Sequence, residues 1–292
     1  MMATPQSPAP DEEHRLRAGR QWCPEDAAGM ISGHLRGRDP IEHLLVLPSH
    51  RNSGNAGDSN LSQQRYPLLV FLHGAGEVDT SLDYLRSAEG ATGALPQLAL
   101  LTPKSCDAQP ADDPFPWLAA FAPHLQEQFA VLAPLSRRSW SNEGDCQATL
   151  ALIEDVVASF PIDPDRVIIT GVSQGGYGAL RIAQSNPSRF AGVAPVCGFG
   201  DKAWAATLAS KNVPAFFSHG VNDRIVPVSA SDGLVAAFKA KLAPVDMDRL
   251  LTYKRLAESA DPIGYPGTGH AAWRNVYTDA AFWRWACSVV RS

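Results

Sequence analysis

The chain has 292 residues, of which 45% are hydrophobic and 19% are charged, the composition of a globular protein that can bury one large core. Its formal net charge of −5 argues against a nucleic-acid partner or an anionic membrane surface, because both attract basic proteins. We therefore expect a small molecule or another protein as the partner, and the sequence predicts no particular oligomeric state.

The first twenty residues are rich in Pro, Ala and charge and predict a disordered tail at 1–20, followed by a single domain over 21–292. The tail has no apolar stretch of the length that a signal peptide needs, and no run elsewhere reaches the length of a membrane span. We expect a cytoplasmic protein without integral membrane association.

The cysteines give no sign of a metal centre. There are five, an odd number, and none forms a CxxC pair. This spacing argues against both a disulfide framework and a structural zinc site. No other cluster of ligand residues stands out, so we expect neither a metal nor an organic cofactor.

The hydrophobic pattern predicts strands that alternate with amphipathic helices. Apolar runs that read as strands follow in chain order at 43–48, 67–74, 129–134, 166–173, 191–198, 213–220 and 249–256. Apolar residues at helical spacing lie between them at 150–160 and 234–242, and after them at 276–290. This alternation is typical of a mostly parallel sheet covered on both faces, so we predict the doubly wound α/β class.

Two long stretches interrupt the alternation, a polar one at about 49–65 and a Pro-rich one at about 101–128. Loops of this length usually serve a function or move. For the second stretch, which contains several aromatic residues, two interpretations stay open: a lid over a site, or a surface wrap.

The segment RVIITGVSQGGYG, residues 166–178, runs from an apolar strand through a Gly-rich turn into a helix. Ser173 stands at the turn, flanked by Gly171, Gly175 and Gly176. This context is typical of a nucleophile elbow, in which a strained serine is exposed and glycines avoid collisions with the neighbouring strand and helix. A serine that merely caps the helix is the alternative.

A serine nucleophile needs a base and an acid that orients the base, and after such an elbow they follow in the order acid, then His. Asp223 lies just beyond the strand at 213–220, and His270 lies in a Gly-rich loop after the last predicted strand. We predict Ser173, Asp223 and His270 as the catalytic residues. The competing acids and histidines are Asp232, Asp261, His73, His124 and His219.

Two backbone N–H groups are expected to bind the oxyanion of an acyl-transfer intermediate. One belongs to Gln174, directly after the nucleophile, and the other to Ala75 in the HGAGE turn at 73–77. His73 is expected to act as a structural hydrogen-bonder rather than as a second base.

A substrate pocket is predicted at His73, Gly74, Trp140 and Trp273. Each tryptophan can line the pocket or pack in the core. Likewise, the arginines at 137–138 can bind a carboxylate-bearing substrate or lie at the surface.

The strings HGAGE, GVSQGGYGAL, HGVNDRIVPV and GTGHAAW together resemble the α/β-hydrolase superfamily. Within it they are most similar to the esterase and predicted-peptidase group, which includes polyhydroxybutyrate depolymerase-like, feruloyl-esterase-like and phospholipase/carboxylesterase-like proteins. The resemblance spans about 67–290. It implies the α/β-hydrolase fold, a triad of Ser173, Asp223 and His270, and oxyanion donors at Ala75 and Gln174.

The expected function is that of a carboxylesterase that cleaves a small-molecule acyl ester through an acyl-enzyme intermediate. A serine peptidase or an acyl-protein thioesterase uses the same triad, so both stay open. A non-catalytic binding protein of the same fold is a further alternative, although such a protein would usually lack one of the three residues.

Overall fold

The computed structural model describes residues 30–34, 41–48, 65–86, 129–257 and 267–291. The tail predicted at 1–20 and, except for Arg65, the insertions predicted at 49–65 and 101–128 lie outside the described residues. The division into a tail and a single domain with two insertions therefore stays a prediction.

Within the described residues, eight strands form one sheet in the order β1-β2-β4-β3-β5-β6-β7-β8. They are β1 Met30–His34, β2 Glu42–Val46, β3 Tyr66–Leu72, β4 Ala130–Leu135, β5 Ile162–Val172, β6 Gly192–Val196, β7 Ala215–Gly220 and β8 Leu251–Leu256. Strand β2 is antiparallel to both of its neighbours, β1 and β4, and the six strands β3 to β8 are parallel to one another. The predicted, mostly parallel sheet is thus confirmed; strand β1 was not predicted.

Helices flank both faces of the sheet. Those in the described residues are α1 Leu82–Arg86, α2 Glu143–Ser159, α3 Gln174–Ser185, α4 Lys202–Ser210, α5 Ser229–Lys239, α6 Met247–Leu250, α7 Ala272–Thr278 and α8 Ala280–Ser288. In β3, Leu68 and Val70 pack with the cluster under α2 to α5, whereas Leu69 and Phe71 pack with the cluster under α7 and α8. Because the strand is buried on both faces, its residues form a continuous apolar run.

The helical pattern at 276–290 is confirmed as helical, but the single terminal helix that it predicts is divided in two. The structure has two helices, α7 and α8, and Val290 lies beyond the second. Asp279 begins α8, since its carboxylate accepts a hydrogen bond from the Ala281 backbone N–H. Such a cap satisfies an otherwise unpaired donor at a helix start.

The order of the strands places a crevice beside β3. The chain leaves β3 for β4 on one side and returns to β5 on the other, so the segments that follow β3 and β5 diverge at adjacent strand ends. Ligand sites of open α/β sheets lie at such switch points, outside the carboxyl ends of the strands.

None of the helices in the described part of the chain is long and apolar enough to cross a membrane.

Candidate active site

Ser173 occupies a strained turn between β5 and α3. Strand β5 ends at Val172, and α3 begins at Gln174. Between them Ser173 has φ 56° and ψ −117°, a backbone conformation that non-glycine residues rarely adopt. Its backbone N–H donates to the Val196 carbonyl at the end of β6, which fixes the turn against the sheet.

The glycines around Ser173 allow close backbone contacts. A β-carbon at Gly171 would lie 2.5 Å from the Gly175 carbonyl carbon, and one at Gly175 would lie 2.0 Å from the Leu72 carbonyl oxygen. A β-carbon at Gly176 would lie 2.9 Å from Cα of Gly198. The steric reason predicted for these glycines is therefore confirmed, and their absent side chains let α3 approach the end of β3.

Replacing Gly175 with alanine is expected to destabilise the protein by about 3 kcal/mol or more, because the colliding atom is backbone and cannot turn away. Gly233→Ala, in the interior of α5, is the matched control. Its β-carbon would meet Cε of the flexible Lys202 side chain at 2.9 Å. Because that side chain can move, the gain of about 0.5–1 kcal/mol for alanine over glycine in a helix should outweigh the contact, and Gly233→Ala should be more stable than the wild type. Urea unfolding of both variants measures the difference, and equal stabilities would contradict the role given to Gly175.

The three predicted catalytic residues lie together. His270 Nε2 is 2.9 Å from Ser173 Oγ, and His270 Nδ1 is 2.6 Å from Asp223 Oδ2. The side chains of Asp223 and His270 are buried, with residue exposures of 7% and 3%. These distances fit a base that can take the serine proton and an acid that holds the base.

Two loops hold the acid and the base against each other. Gly269, directly before His270, has φ +69°, and a β-carbon there would lie 2.5 Å from the Asn222 carbonyl oxygen. The Arg224 backbone N–H donates to the carbonyl of Thr268 at 2.8 Å. The Gly-rich loop before His270 thus packs directly on the loop that carries Asp223.

Asp223 is an ionised acceptor. Burial alone would raise its pKa, but hydrogen bonds from His219, from His270 and from the Val226 backbone N–H hold the pKa of Asp223 well below its usual range. Oδ1 accepts from the backbone N–H groups of Ile225 and Val226, both at 2.9 Å. A carboxylate with this many donors stays charged and keeps a fixed orientation.

The competing acids and histidines lie elsewhere or are engaged differently. Asp232, in α5, accepts a hydrogen bond from the Tyr253 hydroxyl at 2.8 Å. His219 is buried, and its Nε2 lies 3.3 Å from Asp223 Oδ2. Asp261 and His124 lie outside the described residues.

His73 supports the turn that follows β3. Its Nδ1–H donates to the Gly74 carbonyl at 2.8 Å, and its Nε2 accepts from the Ser136 backbone N–H at 3.0 Å. Burial lowers the pKa of His73 to about 4, so the ring is neutral. Since both ring nitrogens are used, the geometry favours the structural role over that of a second base.

The two expected oxyanion donors lie on adjacent segments. Ala75 begins a short 3₁₀ helix after β3 and is exposed, and Gln174 begins α3. The contact distances at Gly175 bring these segments together, since a β-carbon there would lie 2.6 Å from the His73 carbonyl oxygen. The segments that carry the two N–H groups therefore lie side by side, and their role as oxyanion donors stays a prediction.

Both tryptophans of the predicted pocket are fully buried. Trp140 Nε1–H donates to the His73 carbonyl at 2.9 Å, and the Trp140 side chain leaves no room for a β-carbon at Gly178. Trp273 meets His270 edge to face, with ring centroids 5.7 Å apart. Burial favours the packing interpretation for both rings, which contact His73 and His270 respectively.

The two arginines considered for substrate binding have protein partners. Arg137 donates to the Thr80 carbonyl at 2.6 Å, and it also pairs with Glu42. Arg138 pairs with Asp145 at 2.8 Å. These contacts favour a structural role for both.

One cluster could in principle hold a metal ion. Among the described residues, donor atoms of Cys197, Asp223 and His270 lie within 4.8 Å of one another. Burial, with a contribution from Asp223, raises the pKa of the Cys197 thiol. Asp223 and His270 already bond to each other, so two of the three donor groups in this cluster belong to the predicted catalytic set.

Sequence reasoning treated His219 only as a competitor of His270. The structure instead brings His219 to the opposite side of the Asp223 carboxylate from the backbone donors of the 225–226 turn. The available signal was its place four residues before Asp223, at the end of β7.

Comparisons with known proteins find similarity to esterases and related hydrolases. Residues 137–262, which include Ser173 and Asp223, match the family model described as Phospholipase/Carboxylesterase. Poly(3-hydroxyalkanoate) depolymerase C of Paucimonas lemoignei is 27% identical over 132 residues, which are 45% of this chain and 28% of that protein. Acyl-protein thioesterase 1 of Mycosarcoma maydis is 35% identical over 106 residues, which are 35% of this chain and 44% of that protein.

The fold has counterparts among solved structures. A thermostable esterase superposes with a TM-score of 0.66 at 24% identity, covering 90% of this chain and 64% of that one. The chain spans less than half the length of the two curated relatives described above. The chain has the α/β-hydrolase fold, and the resemblance to the esterase group of that superfamily, which its motifs indicate, is confirmed.

Proposed function

We propose that the protein is a serine hydrolase that cleaves carboxylic esters of small molecules through an acyl-enzyme intermediate. The observation that carries the proposal is the chain of hydrogen bonds from Ser173 Oγ through His270 to Asp223. The phospholipase/carboxylesterase model and the esterases among the similar proteins support the same reaction class.

In the proposed reaction, Ser173 Oγ attacks the acyl carbonyl carbon while His270 Nε2 takes the hydroxyl proton. The N–H groups of Ala75 and Gln174 donate to the oxygen that gains the negative charge. The His270 proton then goes to the leaving alkoxide, the carbon–oxygen ester bond breaks, and an acyl-serine ester remains. Water attacks this ester by the same steps and releases the acid.

Asp223 orients the base in this scheme. It accepts the Nδ1–H of His270, so the lone pair of Nε2 faces Ser173. Because its pKa is held well below the usual range, the carboxylate is charged when the imidazole gains its proton. The strained Ser173 backbone and the buried acid together explain why a serine, an otherwise weak nucleophile, could react here.

Thioester cleavage is the second candidate, and the similarity to an acyl-protein thioesterase favours it over peptide cleavage. Both reactions use the same acyl-enzyme, and they differ only in the leaving group. The three residues at hydrogen-bonding distance argue against a non-catalytic binding protein. The cytoplasmic location remains a prediction from the sequence.

Labelling with a fluorophosphonate probe, followed by peptide mapping, tests the proposal. We expect one phosphonylated residue, Ser173, because the probe reacts with activated serines. Hydrolysis rates for a series of p-nitrophenyl esters of increasing acyl length then measure the preference for acyl length. The same rates for the matching thioesters measure the preference for ester over thioester. Absence of labelling, or labelling confined to another residue, would contradict the proposed function; labelling with thioester turnover alone would favour the second candidate.

A further inference from the structure

A second histidine contacts the acid of the proposed triad. His219 lies in β7 with no exposed surface, and its Nε2 is 3.3 Å from Asp223 Oδ2. The same carboxylate oxygen accepts the His270 Nδ1–H at 2.6 Å. The two imidazoles therefore meet on one oxygen of Asp223, and the proposed catalytic scheme uses only one of them.

The partners of His219 assign its tautomer. Nε2 lies 2.8 Å from the Val226 carbonyl oxygen, which can only accept, so the hydrogen is on Nε2. This hydrogen is shared between the Val226 carbonyl and Asp223 Oδ2 as a three-centre bond. Nδ1 is then the acceptor, and the Ser231 hydroxyl, 2.7 Å away, is the donor; its contact with the Gly198 carbonyl oxygen is longer, at 3.4 Å, so the hydrogen is assigned to the His219 bond.

These contacts make His219 a bridge across the turn that carries Asp223. The Val226 backbone N–H donates to Asp223 Oδ1, and the Val226 carbonyl accepts from His219. His219 thus bonds both ends of the 223–226 turn, and Ser231 in α5 holds the imidazole from behind. Rotation of the Asp223 carboxylate away from His270 would break contacts on both of its oxygens.

We infer that His219 is a positioning residue for the Ser173 reaction, acting through Asp223 and anchored by Ser231. The inference rests on the proposed function. His219 keeps Oδ2 aimed at His270 Nδ1 without touching the substrate or the serine. Its loss should therefore slow the chemical step and leave substrate binding nearly unchanged, because displacement of a catalytic group by about 1 Å can cost about 10²-fold in rate.

The test compares two substitutions that differ in the N–H donor. His219→Gln keeps a side-chain N–H that can reach the position of Nε2, whereas His219→Phe keeps a ring of similar shape and has no donor. We expect His219→Phe to lower kcat for a p-nitrophenyl ester about 10- to 100-fold with KM changed less than about twofold. His219→Gln should recover most of kcat, to within about fivefold of the wild type.

The matched control is His43→Phe, which replaces another buried histidine, on β2, three strands from β5. It should leave kcat and KM unchanged. Thermal unfolding verifies that each variant is folded. If His219→Phe does not fold, Ser231→Ala takes its place, since it removes the anchor of Nδ1 and should lower kcat about three- to tenfold at constant KM.

The outcomes separate the inference from the function on which it rests. Full activity of folded His219→Phe, or of Ser231→Ala where that variant is used, overturns the positioning role while the serine hydrolase stands. Equal losses in the Gln and Phe variants also overturn it, because they indicate packing rather than the N–H donor. If wild type and His43→Phe hydrolyse no ester or thioester and are not labelled, the proposed function itself fails.

Discussion

Ser173→Ala is expected to abolish fluorophosphonate labelling and to lower kcat for p-nitrophenyl esters by about 10⁵- to 10⁶-fold. The substitution removes the only protein atom in the proposed scheme that forms a bond to the acyl carbon. The remaining rate comes from the oxyanion donors and from substrate binding, which act without the nucleophile. Steady-state kinetics and in-gel labelling of purified protein measure both effects.

The fold should tolerate this change. Ser173 Oγ bonds to His270 Nε2, and the strain at Ser173 lies in its backbone, which alanine shares. We therefore expect the unfolding free energy to change by less than about 1 kcal/mol. Ser185→Ala is the matched control, since Ser185 ends the same helix and its hydroxyl donates only locally, to the Ile182 carbonyl at 2.8 Å. If Ser173→Ala kept wild-type turnover, another residue would be the nucleophile.

The parts of the fold that could be predicted from the sequence are those that depend on patterns of consecutive residues, such as apolar runs and Gly-rich turns. The residues at 167–172 before Ser173 are an apolar run that passes directly into the Gly-rich turn, so strand, turn and helix start lie in one contiguous segment. Because the sheet is buried on both faces, β3 and β4 are buried along their whole length and stand out from the helices as apolar runs. The carboxyl ends of these strands share one edge, which is why Asp223 and His270 could be matched to Ser173.

The remainder depends on contacts between distant segments. Trp140 and Trp273 are each compatible with a pocket wall, and only the packing of His73 and His270 on them identifies them as buried supports. The break between α7 and α8 depends on one capping bond from Asp279, which a helical period does not reveal. His219 looks like any polar residue near a strand end until the turn at 223–226 folds back over it.

Asp223→Asn is expected to lower kcat by about 10⁴-fold at neutral pH, a smaller loss than that of Ser173→Ala. The Oδ1 position receives N–H bonds from Ile225 and Val226, so the amide oxygen of the variant will occupy it. The amide NH₂ then takes the place of Oδ2 and faces His270 Nδ1. To avoid two opposed donors, His270 must carry its hydrogen on Nε2, where it points at Ser173 and cannot accept the serine proton.

Asp232→Asn provides the control for charge and volume. Asp232 lies in α5, accepts from the Tyr253 hydroxyl at 2.8 Å and lies 3.6 Å from Arg255. Its loss should change kcat less than about twofold, since its partners lie outside the Ser173, His270 and Asp223 set. Kinetics over a range of ester concentrations should show KM within about twofold of wild type for both variants, because neither carboxylate contacts the substrate in the proposed scheme.

A folded Asp223→Asn variant that kept more than about a tenth of the wild-type kcat would mean that another group orients His270. In that case the hydrogen bond between His270 and Asp223 would serve the structure of the loop rather than the reaction.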